Sequence, residues 1–273
     1  MTGEIDMNNI DISSRYESDM DEFDYLEMAE SATTKKEKLE CIEKALEIDP
    51  KNTDAMLMKA YLTIKNSLDY LNELDRIVEI AADELKKERY FDDCIGDFWG
   101  FVETRPYMSA RFERINILIS LGMIRLAEDE CRDMLRLCTN DNLGIRYTLM
   151  HIYAFFEDEQ EALKLNEKYP DESTMMLLPL SVLYYKKRDF KTASEYLQKL
   201  SKINKGLNNF LKAAKSKEKL TELMLDMSPY GYQYSAAEEF VEEFMTYHFL
   251  FVQVAEYFTW AQKELKAIRA KKS

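Results

Sequence analysis

The chain has 273 residues, 46% of them hydrophobic and 32% charged, with Gly 7 and Pro 5. That is ample apolar material for a core and too little punctuation for a β-rich or loop-rich protein, so long helices joined by short turns are expected. A net charge of -14 excludes broad nucleic-acid binding, because phosphates would be repelled, and no apolar run approaches the ~20 residues that cross a bilayer.

The N-terminus has no basic-then-apolar signal peptide. Residues 1–30 hold ten acids against one base, Arg15, so -9 of the charge sits there. Residues 1–18 lack apolar periodicity and read as a disordered acidic arm. A first helix is expected from about Asp21 to Ser31, with Phe23, Leu26 and Ala29 as its apolar stripe. Ala45-Leu-Glu-Ile-Asp-Pro50 then has the Ala-to-Pro spacing that ends a helix-hairpin repeat. Thr53 to Lys65 starts another, with Ala60 as the small residue that lets a partner helix approach. The partner, Leu68 to Arg89, is a long amphipathic helix with Leu71, Leu74, Ile77, Val78 and Ile80 facing inward.

Gly96-Asp-Phe-Trp-Gly100 fits an aromatic core segment better than a phosphate loop. Residues 108–141 repeat the hairpin. Gly122 stands where a left-handed turn ends the first helix, and Ala127, Cys131 and Met134 keep the second-helix spacing. A further copy has Ile145, Leu149 and Ile152 in its first helix and Ala162 and Leu165 in its second, closing early at Tyr169-Pro170. The clearest copy is 174–205, with Leu177, Leu180, Ser181 and Tyr184, then Ala193, Leu197 and Leu200. Pro179 should kink that first helix or shorten its start.

Beyond residue 205 the pattern breaks. Lys205–Lys219 alternates short helix with turn signals, and Ser228–Tyr234 is a tyrosine-rich loop. Ser235-Ala-Ala-Glu238 has the spacing of a capping box that opens a helix carrying Phe240, Val241, Phe244 and Met245. A last helix runs from about Phe249 to Ala270. Its basic end (Lys263, Lys266, Arg269, then Lys271 and Lys272) suits a helix C-terminus.

Hairpins at a period in the thirties cannot bury both faces alone and must stack. The expected fold is therefore all-α: a tetratricopeptide (TPR)-like superhelix of antiparallel helix hairpins over residues 19–205, with divergent C-terminal capping helices, 206–273, packed on the repeats. Phe98-Trp-Gly-Phe-Val-Glu-Thr-Arg-Pro-Tyr-Met-Ser-Ala-Arg111, Met134-Leu-Arg-Leu and Asn140-Asp-Asn-Leu-Gly-Ile-Arg-Tyr147 together resemble the bacterial TPR proteins related to the suppressor-of-tumorigenicity-7 family. Tyr232–Phe240 with Phe258-Thr-Trp260 is similar to that family's C-terminal region, so the likeness spans roughly residues 90–260. It implies a helical-repeat fold and no established enzymatic activity or cofactor. Animal relatives are membrane proteins, and this chain has no stretch fit to cross one, so location does not carry over; a cytoplasmic protein is expected. The repeats ending near Thr139 also lack the usual exit proline.

No constellation points to catalysis. His151 lies mid-helix beside Met150 and Ile152, His248 lies among aromatic residues, and both read as structural. The four cysteines (Cys41, Cys94, Cys131, Cys138) form no CxxC pair and read as free thiols, with no metal site and no cofactor. The one dense polar cluster is Glu103–Arg111 with Arg114. Arg111 and Arg114 share a helix face, and Pro106 suits a helix start. One repeat later stand Asn140, Asp141, Asn142, Arg146 and Tyr147. First helices line the concave groove of a TPR stack, so Arg105, Tyr107, Arg111, Arg114, Asn142, Arg146 and Tyr147 are the candidate lining. Arginines there suit an acidic peptide or a C-terminal carboxylate. The competing reading has Arg105 or Arg111 paired with Glu103 or Asp97 to order the joint between repeats.

The expected function is a non-enzymatic protein-interaction scaffold that binds a protein or peptide partner and no nucleic acid. The alternative is a structural or oligomerising protein, a homodimer through its C-terminal helices or one whose acidic arm lies in its own groove. Tyr230, Tyr232 and Tyr234, with Phe240 and Tyr247, could form a partner patch or simply part of a cap.

Overall fold

The computed structural model describes residues 20–225 and 236–270. The acidic arm, the tyrosine-rich loop, the capping residue Ser235 and Lys271 and Lys272 lie outside the described residues. Among the described residues all regular structure is helical and no strand is present. No helix among them is long and apolar enough to cross a membrane. The chain divides into two compact units, one up to Leu121 and one from Gly122, and this division falls inside the stretch expected as one array.

The first unit contains α1 (Glu22–Ser31), α2 (Lys35–Ile48), α3 (Thr53–Thr63), α4 (Ser67–Lys87), the single turn α5 (Tyr90–Asp93), two 3-10 turns (Phe98–Gly100 and Val102–Thr104) and α6 (Arg105–Ser120). Side chains start the first four helices. Asp21 and Asp24 form a capping box on α1, and Thr34 and Glu37 form one on α2. Asn52 caps α3 and Asn66 caps α4.

Consecutive helices pack as hairpins around small residues. Ala29, Ala45 and Ala55 join Tyr25, Leu26 and Ile42 in one cluster. Ala60 and Ala110 join Met56, Tyr70, Leu74 and Ile77 in a second. Two expectations about facing change. Phe23 is 63% exposed, and Tyr25 takes the inward place on α1. On α4 the buried stripe is Leu71, Leu74, Ile77, Ala81 and Leu85, while Val78 and Ile80 are only half-buried.

The second unit contains α7 (Ile124–Leu137), α8 (Ile145–Phe156), α9 (Glu159–Lys168), α10 (Thr174–Lys186), α11 (Phe190–Ile203), α12 (Leu207–Ala213), α13 (Lys217–Leu225), α14 (Ala237–Thr246), α15 (His248–Phe251) and α16 (Ala255–Ala270). Helix α8 packs against α7, α9 and α10; α10 packs on α11; α11 packs on α16; and α12 packs on α14 and α16. Helix α10 is buried around nearly its whole girth, from Met176 to Tyr184. Pro179 lies inside it and does not shorten its start, which stays at Thr174.

The expected final helix is interrupted. His248–Phe251 forms a single turn and the chain re-enters helix at Ala255. No Gly or Pro causes the break. It accompanies the burial of Phe249 against Phe155 and of Phe251 against Phe244, with ring centroids 5.6 Å and 5.5 Å apart, so packing overrides local helix preference here. Met245, expected inward, is exposed. The start of α14 is Ala236, which makes no side-chain cap.

Candidate functional site

In the first unit the starts of α1, α3 and α6 and the later part of α4 surround an open cavity of about 680 Å³. Local chemistry shapes its far wall. Thr104 Oγ1 donates to the Phe98 and Phe101 carbonyls and folds the 98–104 segment tightly. Phe98 is fully buried against Phe91 and Tyr107, which turns Val102 outward to 66% exposure. Arg105 and Pro106 then open α6, with proline where its missing N–H removes no helix bond.

The candidate residues of this unit separate into two groups. Arg105 and Tyr107 line the cavity; Arg111 and Arg114 do not. The Arg105 side chain is exposed, donates from Nε to the Trp99 carbonyl at 3.1 Å and lies over the Trp99 ring at 5.7 Å. Its contacts are thus with tryptophan, where the competing reading expected Glu103 or Asp97. Tyr107 is 6% exposed, with its ring edge-on to Phe91. Arg111 is 5% exposed and donates to the Tyr107 hydroxyl at 3.2 Å. Arg114 donates to Asp75 Oδ1 at 2.6 Å and so ties α6 to α4.

The charges that line the cavity come mostly from positions that sequence reasoning did not single out. Asp49, Asp54, Glu84 and Glu103 face Lys51 and Arg105. Lys51 Nζ sits 2.6 Å from Glu84 Oε1, which Lys87 also approaches to 2.8 Å, and the two lysines pull the Glu84 carboxyl down to about 2. The Asp54 carboxyl is pushed the other way, first by burial and then by the like charge of Glu30. The cap spacing around Asn52 was a readable signal for a helix start. Nothing local said that three such starts would meet.

Asn142, Arg146 and Tyr147 belong to the second unit. Asp141 is buried with a left-handed φ of 53°. Its Oδ1 accepts from the Ile145 N–H at 2.6 Å, and its Oδ2 accepts from the Arg146 N–H at 3.1 Å and from Arg146 Nη1 at 2.8 Å. It thereby answers the free N–H groups at the start of α8. Burial raises the Asp141 carboxyl above the usual range, against the opposing pull of the Arg146 hydrogen bonds. Arg146 Nη2 donates to the Tyr147 hydroxyl at 2.6 Å, and that hydroxyl donates to Asp171 at 2.7 Å. Arg146 and Tyr147 are thus held together by Asp141 and Asp171. Asn142 is exposed, and its Oδ1 accepts from Cys138 Sγ at 3.3 Å.

A second polar cluster lies inside this unit. His151 and Glu243 are fully buried, with Nε2 3.0 Å from Oε1. The Tyr147 carbonyl can only accept, so His151 Nδ1 donates to it at 2.8 Å, and Nε2 and Oε1 share one proton. The imidazole stacks on the Tyr247 ring at 3.8 Å. Nearby, Glu239 accepts from Thr174 at 2.8 Å and from Asn204 at 2.6 Å. Burial raises the Glu243 carboxyl, the His151 contact opposes that, and Glu239 adds to it. These groups clamp α14 onto α8, α10 and α11.

Of the cysteines, Cys131 and Cys138 are buried and Cys41 and Cys94 half-buried, all four as free thiols. Among the described residues no group of three His, Cys, Asp or Glu side chains could hold a metal ion. No protein-family model matches the chain, and neither a curated protein nor a solved structure matches it significantly.

Proposed function

We propose that this chain is a non-enzymatic interaction scaffold, a TPR-like array of helix hairpins that takes a peptide or protein segment in its groove. One observation carries this reading. The starts of three helices, α1, α3 and α6, all open on the same cavity of about 680 Å³. Concave surfaces that join apolar side chains to charged ones give an extended segment both burial and specific polar contacts. Arg105 and Tyr107 are the two candidate residues that line it. Arg111 and Arg114 act from behind, fixing the wall through Tyr107 and Asp75; Arg146 is held by Asp141 within the second unit. The likeness to TPR proteins related to the suppressor-of-tumorigenicity-7 family agrees with such a role.

Affinity purification from the native cell, followed by mass spectrometry, tests it. Val102→Gln replaces an exposed apolar contact on the cavity wall with an uncharged polar one and leaves the core untouched. A partner recovered with the native protein and lost with Val102→Gln is the expected result. An unchanged set of partners would sink the proposal.

A further inference from the structure

The cavity of the first unit has a chemistry of its own. Its apolar wall is Phe23, Leu85, Val102 and Pro106. Phe23 and Val102 are 63% and 66% exposed and stand on the same wall of the cavity. Asp21 Oδ1 accepts from the Phe23 N–H at 2.9 Å and fixes the backbone at the start of α1, where Phe23 stands.

The polar side is acidic in balance, with four carboxylates against two cations. Lys51 is already spent on Glu84 at 2.6 Å. Asp49 accepts from the Lys51 backbone N–H at 2.9 Å. Arg105 donates from Nε to the Trp99 carbonyl and lies over the Trp99 ring, and keeps its charge. Asp54 differs from the rest: it is half-buried, and the charge acting on it is another acid, Glu30. The helix starts that open here would by themselves attract an anion; on α1 and α3 Asp21 and Asn52 take that part, while α6 starts without a side-chain cap, with Pro106 removing one of its free N–H groups. The side chains of the lining leave an excess of two carboxylates over cations.

Resting on the scaffold reading above, we infer that this groove recognises a basic segment of a partner protein: an extended stretch in which Lys or Arg stands beside a large apolar residue. The ammonium or guanidinium meets Asp54, flanked by Asp49 and Glu103. The aliphatic stem of the basic residue lies along Phe23 and Val102, as such stems do on apolar surfaces. The neighbouring apolar residue fills the space against Leu85 and Pro106. This charge preference is opposite to the acidic ligand that the arginines suggested, because of those arginines only Arg105 lines the cavity, among four carboxylates.

Selection of a random linear-peptide library on the full chain, counter-selected on the charge-neutral variant Val102→Gln, tests both levels. The expected peptides pair Lys or Arg with Leu, Ile, Phe or Met. Fluorescence anisotropy of one such peptide should show binding about tenfold weaker when its basic residue becomes Gln, and similarly weaker to Asp54→Asn, with affinity falling as salt rises. The substitution on the peptide leaves the protein untouched, so it decides the matter even if Asp54→Asn folds poorly. Val102-sensitive peptides that are acidic or uncharged would overturn the basic preference and leave the groove standing. No Val102-sensitive peptides at all would overturn both.

Discussion

Buried carboxylates are where single residues matter most in this protein. Glu243 is held above the 4.5 of an ordinary glutamate, chiefly by burial. The folded state therefore binds that proton more tightly than the unfolded chain does. Its stabilising share is complete below pH 4.5 and is lost as pH rises through the higher folded value. Urea midpoints measured across pH, with Glu243→Gln as reference, should show the native protein losing ground to the variant above pH 4.5. Parallel curves would refute the raised value. Asp141 gives a second test. Removing its carboxylate orphans two backbone N–H groups and takes away one of the two acids that hold Arg146, so Asp141→Ala should cost about 2–4 kcal/mol, read from equilibrium unfolding. Asn142→Ala, at an exposed position, should stay within about 0.5 kcal/mol. His151 was readable as structural from its apolar helical neighbours. Its partner was not, because Glu243 lies 92 positions away.

Among the elements, the helix boundaries came through where local chemistry sets them. Asp21, Thr34, Asn52 and Asn66 each cap a helix, and Gly122 takes the left-handed φ of 74° expected of it. Two glycines separate local from tertiary causes. A Cβ on Gly122 would meet nothing within 4 Å, so Gly122→Ala should cost only the backbone strain, about 1 kcal/mol. A Cβ on Gly206 would stand 2.2 Å from the Ala237 backbone nitrogen, although its φ of -70° suits any residue. Gly206→Ala must push α12 away from α14 and should cost about 3 kcal/mol. Chemical denaturation of the two variants side by side checks the order; equal losses would mean that the α12–α14 contact yields easily. Gly206 left no signature in the chain, because its role is defined by a helix thirty residues later. The same holds for the break before α16, which packing of Phe249 and Phe251 accompanies and no residue type announces.

Over the whole molecule the dominant fact is charge: -14, with 51 acids against 37 bases. At low ionic strength the folded chain repels itself, and the exposed ion pairs are too weak to offset that. Salt near 0.15 M shortens the screening length to about 8 Å and should raise the melting temperature by about 2–4 °C for each kcal/mol of repulsion relieved. A salt series in thermal unfolding reads this directly. A falling melting temperature would place the balance with the ion pairs.

The amino-acid sequence alone determined that this protein is helical, roughly where its helices lie, and which small residues let them pair. These follow from a 3.6-residue period, caps and composition, which act over a few positions. Only the tertiary structure decided which charges are spent and which remain. Arg114 meets Asp75 on another helix, Arg146 meets Asp171 across a hairpin, and Asp54 is left facing an acid. Of the arginines that suggested a ligand in the sequence, only Arg105 lines the groove. The groove's acidic character came from Asp49, Asp54, Glu84 and Glu103, brought together by folding from three separate segments. Periodicity places a side chain on a face of its own helix; what stands opposite is set by distant segments, and that is where the electrostatics of a site is made.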